Sequence, residues 1–488
     1  MPLLDLAFLL LDRPETPSNV GALLLFDPPP GRRASAAAAR IARAYRAAAP
    51  SPPFDSVPDL TVLALPRWRR AGNIDLDRHV LRETLDPPAN LIDLCCHVAR
   101  LHEPPLDRSR PLFEVHVIDG LASGQVAVYL KSHHAYWDGR YALGRVFGEM
   151  AREPGPVAPP FFAGSGAEPH AVSAGGPVPD LSAGLRALFT RVSAFGELLT
   201  ALSTRGRGEA GQPAGNRPFA GPHTRFNEPV QAERAFACFR LPLEEMRRVA
   251  RAAGGTLNDV ALAVVDAGVE RVLAARGERP REPLVAMCPV SVRAPGDLEP
   301  TTKATSLFVP LARPRAGASA RLAQIVANTR SAKSEFEALS QDAALDYAML
   351  AFGLWFVSSK LGFGAVTRPV INFAVSNVGE VDGQRYVGEC RLAAAYPASM
   401  VADPTGLNVT VLSVDRHMDF GIMANAAVLE DAFELAQACE AAFLQLSRAT
   451  RLAPARRQDG ARRKAAARPR AVGPCAGDRP APDRAAAA

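Results

Sequence analysis

The chain is 488 residues long, 48% of them hydrophobic, with 56 basic against 50 acidic side chains and a formal net charge of +6. Such a chain can bury a sizeable core, and its length favours two or more domains. Its seven cysteines are scattered, with neither CxxC nor a Cys/His ligand spacing, so free thiols in a reducing compartment are expected and a metal is not.

The N-terminal stretch carries Asp5 and Asp12 and lacks a basic leader, which argues against a secretory signal. Val20 to Phe26 reads as a short apolar strand, and Ala36 to Ala49, rich in Ala and Arg, as a helix. Phe113 to Ile118 and Val126 to Ser132 read as strands joined through Gly120 and Gly124, a hairpin signal. Immediately afterwards comes His133-His134-Ala135-Tyr136-Trp137-Asp138-Gly139, an HHxxxDG arrangement. The apolar positions Leu143, Val146, Phe147 and Met150 then follow helical spacing, so the motif is expected between a strand and a helix. From Ala151 to Pro179 the composition shifts to Pro, Gly, Ser and Ala, a linker signature. Leu181 to Ser203 has an apolar helical stripe flanked by arginines, suited to packing on a neighbouring domain or to lying in a membrane surface.

A second domain is expected from Pro222 to Thr450. Within it Leu243 to Ala253 reads as a helix stopped by Gly254-Gly255, and Thr256 as the N-cap of a helix carrying Asn258 and Asp259. Leu284 to Pro289, Val370 to Ser376, Leu407 to Val414 and Met418 to Met423 read as strands, and Leu429 to Leu446 as a closing amphipathic helix. The expected organisation is thus 1–150, a linker over 151–221, 222–450 and a disordered basic tail over 451–488. No apolar run approaches the roughly 18–20 residues that span a bilayer. The tail has no aromatic residues among its charges, so nucleic acid is not an expected partner, and anionic lipid headgroups suit it better. Nucleotide-binding glycine loops, GxSxG elbows and HExxH motifs are absent from the sequence.

The motif suits acyl transfer. Imidazole titrates near neutrality, so one histidine can take a proton from a hydroxyl or amine and return it. The acid four residues after the second histidine can fix loop geometry, and Gly139 is expected to permit a turn that other residues resist.

Around the motif, Leu4 to Leu9 with Pro17 to Gly21, Leu106 to Phe113, Thr256 to Val260, Pro289 to Arg293, Ser376 to Val378, Tyr396-Pro397 and Gly406 to Thr410 fall in the order found in the bacterial wax ester synthase/diacylglycerol acyltransferase family. The chain resembles that family from about Leu4 to Leu446. It departs at Asp12 and Asn19, where the family usually has Glu and His, at Tyr136 and Trp137, where small aliphatics are common, and over Thr301 to Ser306, which lacks a Gly-Asn pair.

The resemblance implies an α/β fold of two chloramphenicol acetyltransferase-like domains, a pseudo-dimer with an active-site tunnel at the interface. It implies acyl-CoA as co-substrate without a cofactor, and diacylglycerol or a long-chain alcohol as acceptor. It also implies a cytoplasmic enzyme held peripherally at the membrane or at lipid inclusions. His134 is then the general base, with no covalent intermediate, and His133 supports the loop. Asp138 is structural, and a buried carboxylate calls for a cation, with Arg293 the first candidate. Asn258 either donates to the carbonyl oxygen or caps its helix, and Asp259 is expected to be structural. Two other readings are a lipid-binding or droplet-coat protein without activity, and a carrier-protein-dependent condensation enzyme.

Overall fold

A computed structural model describes residues 3–61, 66–164, 221–291, 304–337, 368–403 and 405–452. The first half opens with an apolar helix, α1 (Leu3–Leu11), followed by β1 (Asn19–Asp27), α2 (Ala34–Arg46), β2 (Ser56–Asp59), β3 (Arg67–Arg70) and β4 (Val80–Ala89). Next come α3 (Leu91–His102), β5 (Phe113–Leu121), β6 (Val126–His133) and α4 (Gly139–Gly148). The second half is built from β7 (Arg234–Pro242), helices Leu243–Ala253 and Leu257–Ala275, β8 (Val285–Ser291), β9 (Ala304–Pro310) and the helix Ala318–Glu337. It continues with β10 (Phe373–Val381), β11 (Tyr386–Val387), β12 (Cys390–Ala398), β13 (Leu407–Val414), β14 (His417–Asn425) and the helix Ala432–Leu452.

Two six-stranded sheets organise these elements, in the orders β11-β12-β1-β6-β5-β4 and β7-β14-β13-β10-β8-β9. The chain beyond residue 222 therefore builds both sheets. β12 leaves the second half to pair antiparallel with β1, Gly21 opposite Ala398 and Leu25 opposite Ala394. That pairing covers an edge β1 would otherwise expose. The two sheets come close at Gly421 of β14, where a Cβ would run into the carbonyl of Pro397 on β12, so only glycine fits.

Each sheet has its own apolar core, and that of the first also takes in Val381, Val387 and Leu392 from the second half. A third cluster joins them, with Leu23 and Leu25 of β1, Leu94, Cys95, Val98 and Ala99 of α3, Phe236 and Cys238 of β7, and Tyr396 of β12.

The expected β5–β6 hairpin forms with Phe113 opposite Ser132; Gly124 has positive φ in its turn, and Gly120 has positive φ just before it, near the end of β5. The helix from Leu243 ends at Gly254 in the left-handed conformation. Thr256 caps the next helix by accepting from the Asp259 amide, and Asp259 returns the bond to the Thr256 amide at 2.7 Å, a capping box. The stripe over 181–203 and the tail beyond residue 452 lie outside the described residues. Among those described, no helix is long and apolar enough to cross a membrane.

Candidate active site

β6 is a central strand, and all eight of its residues are buried. Its apolar start needs nothing more, but its end carries Lys131, Ser132 and His133 into the interior, where each polar group must find a partner. Lys131 Nζ donates to the carbonyls of Leu101 and Pro104, each at 2.8 Å, and Ser132 Oγ donates to the Leu112 carbonyl at 3.2 Å. His133 is satisfied at both ring nitrogens. Nδ1 accepts from the Ala135 amide at 3.1 Å, so the proton sits on Nε2, which donates to Asp12 Oδ2 at 2.9 Å.

Asp12 follows α1 and is itself held. Oδ1 accepts from the Ser18 amide at 2.6 Å, and Oδ2 also receives Nη2 of Arg108 at 3.2 Å. Burial pushes this carboxyl up, but the bonds from His133 and Ser18 outweigh it and hold the carboxyl below its usual range. From the sequence Asp12 stood out only as a departure from a family pattern. Its partnership with His133 spans 121 positions, and no local pattern carries it. Asn19, the second departure, lies opposite His133 in the sheet and donates to the carbonyls of His102 and Pro104 at 2.8 and 2.9 Å.

His134 is arranged differently. Its amide donates to the Ser18 carbonyl at 2.8 Å, which pins the backbone to the segment before β1. Its ring stacks on Phe8 of α1 with centroids 4.1 Å apart and planes 18° apart. Nδ1 is enclosed and makes no hydrogen bond of ordinary geometry. Burial pushes the imidazole down to about 4, against smaller opposing effects of its own backbone carbonyl and of Asp138, so the ring is neutral at pH 7. The residue as a whole is only half-buried, in contrast to His133, which is 1% exposed.

Beyond the histidines, Tyr136 and Trp137 fill an aromatic cluster with Phe54 and Phe161. Tyr136 is bolted in place, accepting from the Leu112 amide at 2.9 Å and donating to the Ser56 carbonyl. Asp138 is 5% exposed and caps α4, its Oδ1 accepting from the Tyr141 amide at 2.9 Å. Arg293, its expected partner, lies outside the described residues.

The expectation for Gly139 needs correcting. It is the first residue of α4 and has no positive φ, and a Cβ there would meet Val378 at an ordinary 3.6 Å. Asp138 turns the chain by capping, and the glycine is not needed for it. The same contact places the start of α4 against β10 of the second sheet, so the motif sits where the two halves meet.

Asn258 and Asp259 lie in the second half, at the N-terminus of the helix Leu257–Ala275. Asp259 is buried and structural. One carboxylate oxygen serves the capping box, and the other accepts from Thr329 Oγ1 at 2.6 Å. The alternative of Asn258 as helix cap falls, because Thr256 and Asp259 do that work. No described hydrogen bond joins Asn258 or Asp259 to the histidines.

Comparison with known proteins adds an independent line. Residues 1–261 match the family model for the wax ester synthase/diacylglycerol acyltransferase catalytic domain, and residues 302–447 match the model for the C-terminal domain of the same family. A Mycobacterium tuberculosis protein named a putative diacylglycerol O-acyltransferase is 33% identical over 457 residues, 91% of this chain and 98% of the relative. A second from that organism, named a probable diacylglycerol O-acyltransferase, is 31% identical over 429 residues, 86% of this chain and 92% of the relative. Among solved structures, the wax ester synthase/diacylglycerol acyltransferase of Marinobacter aquaeolei superposes with a TM-score of 0.74 at 24% identity, over 92% of this chain and 99% of that one. The first condensation domain of the CDA synthetase superposes at 0.52 with 18% identity, covering 91% and 93% of the two chains. At these identities the two structural matches are a likeness of fold.

Proposed function

The chain belongs to the wax ester synthase/diacylglycerol acyltransferase family and is an acyltransferase, and from that premise we propose that it moves a long-chain acyl group from acyl-CoA to the hydroxyl of diacylglycerol or of a long-chain alcohol, with His134 as general base. The observation that carries this reading is the different bonding of the two histidines. His133 has spent both ring nitrogens, one on Asp12 and one on the Ala135 amide. His134 is neutral, its Nδ1 has no hydrogen-bond partner, and among the described residues no side chain bonds its Nε2, which leaves Nε2 to accept a proton.

In the step proposed, the acceptor hydroxyl gives its proton to His134 Nε2 as its oxygen bonds to the thioester carbonyl carbon. The tetrahedral intermediate collapses, the C–S bond breaks, and the proton passes from His134 to the departing thiolate, leaving an ester and free CoA. A base pushed down to about 4 is fully available at neutral pH but holds a proton weakly. The imidazolium must therefore be stabilised by the negative charge that grows on the carbonyl oxygen beside it. Asn258, whose side chain the helix cap does not use, is the proposed donor to that oxygen. Asp138 and Asp12 act through the loop, one by starting α4 and the other by holding His133. No nucleophilic Ser or Cys is assigned a covalent role.

Both lipid substrates partition to interfaces. We place the enzyme peripherally at the cytoplasmic face of the membrane or at lipid inclusions, with the apolar stripe of 181–202 and the basic residues after 451 as the contacting sequence.

The test is CoA release from palmitoyl-CoA with diacylglycerol or hexadecanol as acceptor, comparing wild type with His134→Ala. General-base catalysis contributes about 10²–10⁴-fold, so the variant should fall by at least a hundredfold while its circular dichroism is unchanged. A folded His134→Ala protein that kept more than roughly a tenth of wild-type turnover would show that His134 is not the base.

A further inference from the structure

The core that joins the two halves contains an unused pair of thiols. Cys95 lies on the inner face of α3, in the first half, and Cys238 on β7, in the second sheet. Both are free, both are buried at 0% and 3% exposure, and their sulfurs stand 3.4 Å apart. We propose that Cys95 and Cys238 are a reversible oxidation site whose disulfide staples α3 of the first half to β7 of the second. A disulfide bond is about 2.05 Å long, so from a sulfur separation of 3.4 Å closing it needs an approach of little more than 1 Å between side chains already in contact.

The surroundings explain why the pair persists as thiols in the resting protein. Burial pushes the Cys238 thiol well up, with the hydrogen bond to Cys95 adding to it, so thiolate is scarce and oxidation is slow. The neighbouring Cys96 is exposed on the outer face of α3 and has no sulfur partner in the described residues. It is thus an internal control in the same helix, more accessible and yet without a partner.

The oxidant class is a peroxide. The Cys95 thiolate attacks a peroxide oxygen, the O–O bond breaks, and a sulfenic acid forms with release of one water once the leaving hydroxide is protonated. The Cys238 sulfur then attacks that sulfenic sulfur, the S–O bond breaks, and the hydroxyl leaves with the Cys238 proton as a second water. Two thiols lose two electrons in all, and the peroxide gains them. A dithiol reverses the bond by exchange. The loop closed by the bridge spans 143 positions, and a cross-link over so long a loop constrains the unfolded chain strongly.

The experiment uses the full-length protein treated with hydrogen peroxide, followed by thiol titration in denaturant, non-reducing peptide mapping and thermal unfolding. The expected result is a loss of at least two of the seven titratable thiols, a mapped Cys95–Cys238 bridge, and a Tm raised by several degrees that dithiothreitol returns to its starting value. The Tm shift should survive Cys96→Ser and vanish in Cys238→Ala. The proposal is overturned if wild type keeps all its thiols, if the mapped bridge uses Cys96, or if Cys95 is carried to sulfinic acid with Cys238 untouched. Should Cys238→Ala fail to fold, the wild-type map alone decides. None of these outcomes depends on the acyl acceptor, so the proposal stands or falls apart from the proposed function.

Discussion

Replacing Asp12 with Asn changes the chemistry at His133 with almost no change in volume. The carboxylate accepts on both sides, from the Ser18 amide at 2.6 Å and from His133 Nε2 at 2.9 Å, with Arg108 at 3.2 Å on the second oxygen. An amide has one oxygen. With that oxygen toward Ser18, its NH2 faces the donors His133 and Arg108; with the amide flipped, the Ser18 N–H is orphaned. His133 cannot adapt by moving its proton to Nδ1, because Nδ1 accepts from the Ala135 amide. Every arrangement leaves one buried donor unpaired, which costs about 1–3 kcal/mol, toward the upper end because the lost acceptor is ionised. Relief from burying a charge offsets part of this, so about 2 kcal/mol of destabilisation is expected. If that strain falls on the loop carrying His134, turnover drops by about tenfold or more, since 1.4 kcal/mol is a factor of ten. Urea unfolding followed by circular dichroism measures the first quantity and CoA release the second. Asp12→Glu, which restores the residue usual in the family, should retain most of both. The sign with pH gives a further check. The Asp12 carboxyl is lowered in the folded state, so its contribution is present above the unfolded pKa of about 3.9 and is lost as pH falls through the lower folded value. The stability gap between wild type and Asp12→Asn should therefore close in acid. An Asp12→Asn protein within about 0.5 kcal/mol of wild type, the range of ordinary surface changes, and fully active at pH 7 would refute a supporting role for the Asp12–His133 bond.

Two further expectations rest on the same loop. Because burial pushes His134 down to about 4, kcat/KM should stay level from pH 8 to about pH 5 and reach half near pH 4; a half-fall near pH 6.5, the value of a solvated imidazole, would contradict the buried neutral base. For Asp138, loss of the observed cap predicts that Ala costs at least about 1 kcal/mol in urea unfolding, whereas Asn keeps the cap and isolates the contribution of the charge. A loss of 3–5 kcal/mol on Asp138→Asn would instead reveal a buried ion pair, the role expected with Arg293.

The readings that succeeded are those whose causes lie within a few residues. The Gly254 stop, the Thr256–Asp259 capping box and the β5–β6 hairpin with its positive-φ glycines each close through bonds between near neighbours, so residue type and spacing suffice. The placement of the HHxxxDG stretch between a strand and a helix belongs to the same class, since the end of β6 and the start of α4 bracket its seven positions. Gly139 shows the limit. Its presence suggested a strained turn, yet a glycine in a sequence does not disclose its φ, and here φ is not positive.

What the sequence by itself determined was the α/β composition, the local placement of the histidines between strand and helix, and, through the order of its motifs, the family. How each histidine is held, by contrast, was decided only in three dimensions. Asp12 reaches His133 from 121 residues away, Phe8 lies on His134, and the burial that keeps that ring neutral comes from packing around it. The same holds for β12, which completes the first sheet from the far end of the chain, and for Cys95 and Cys238, which meet across the core between the halves. Periodicity and caps report forces acting along a few residues of backbone. Desolvation and hydrogen-bond satisfaction depend on everything within a few ångströms, and that neighbourhood exists only once the chain has folded.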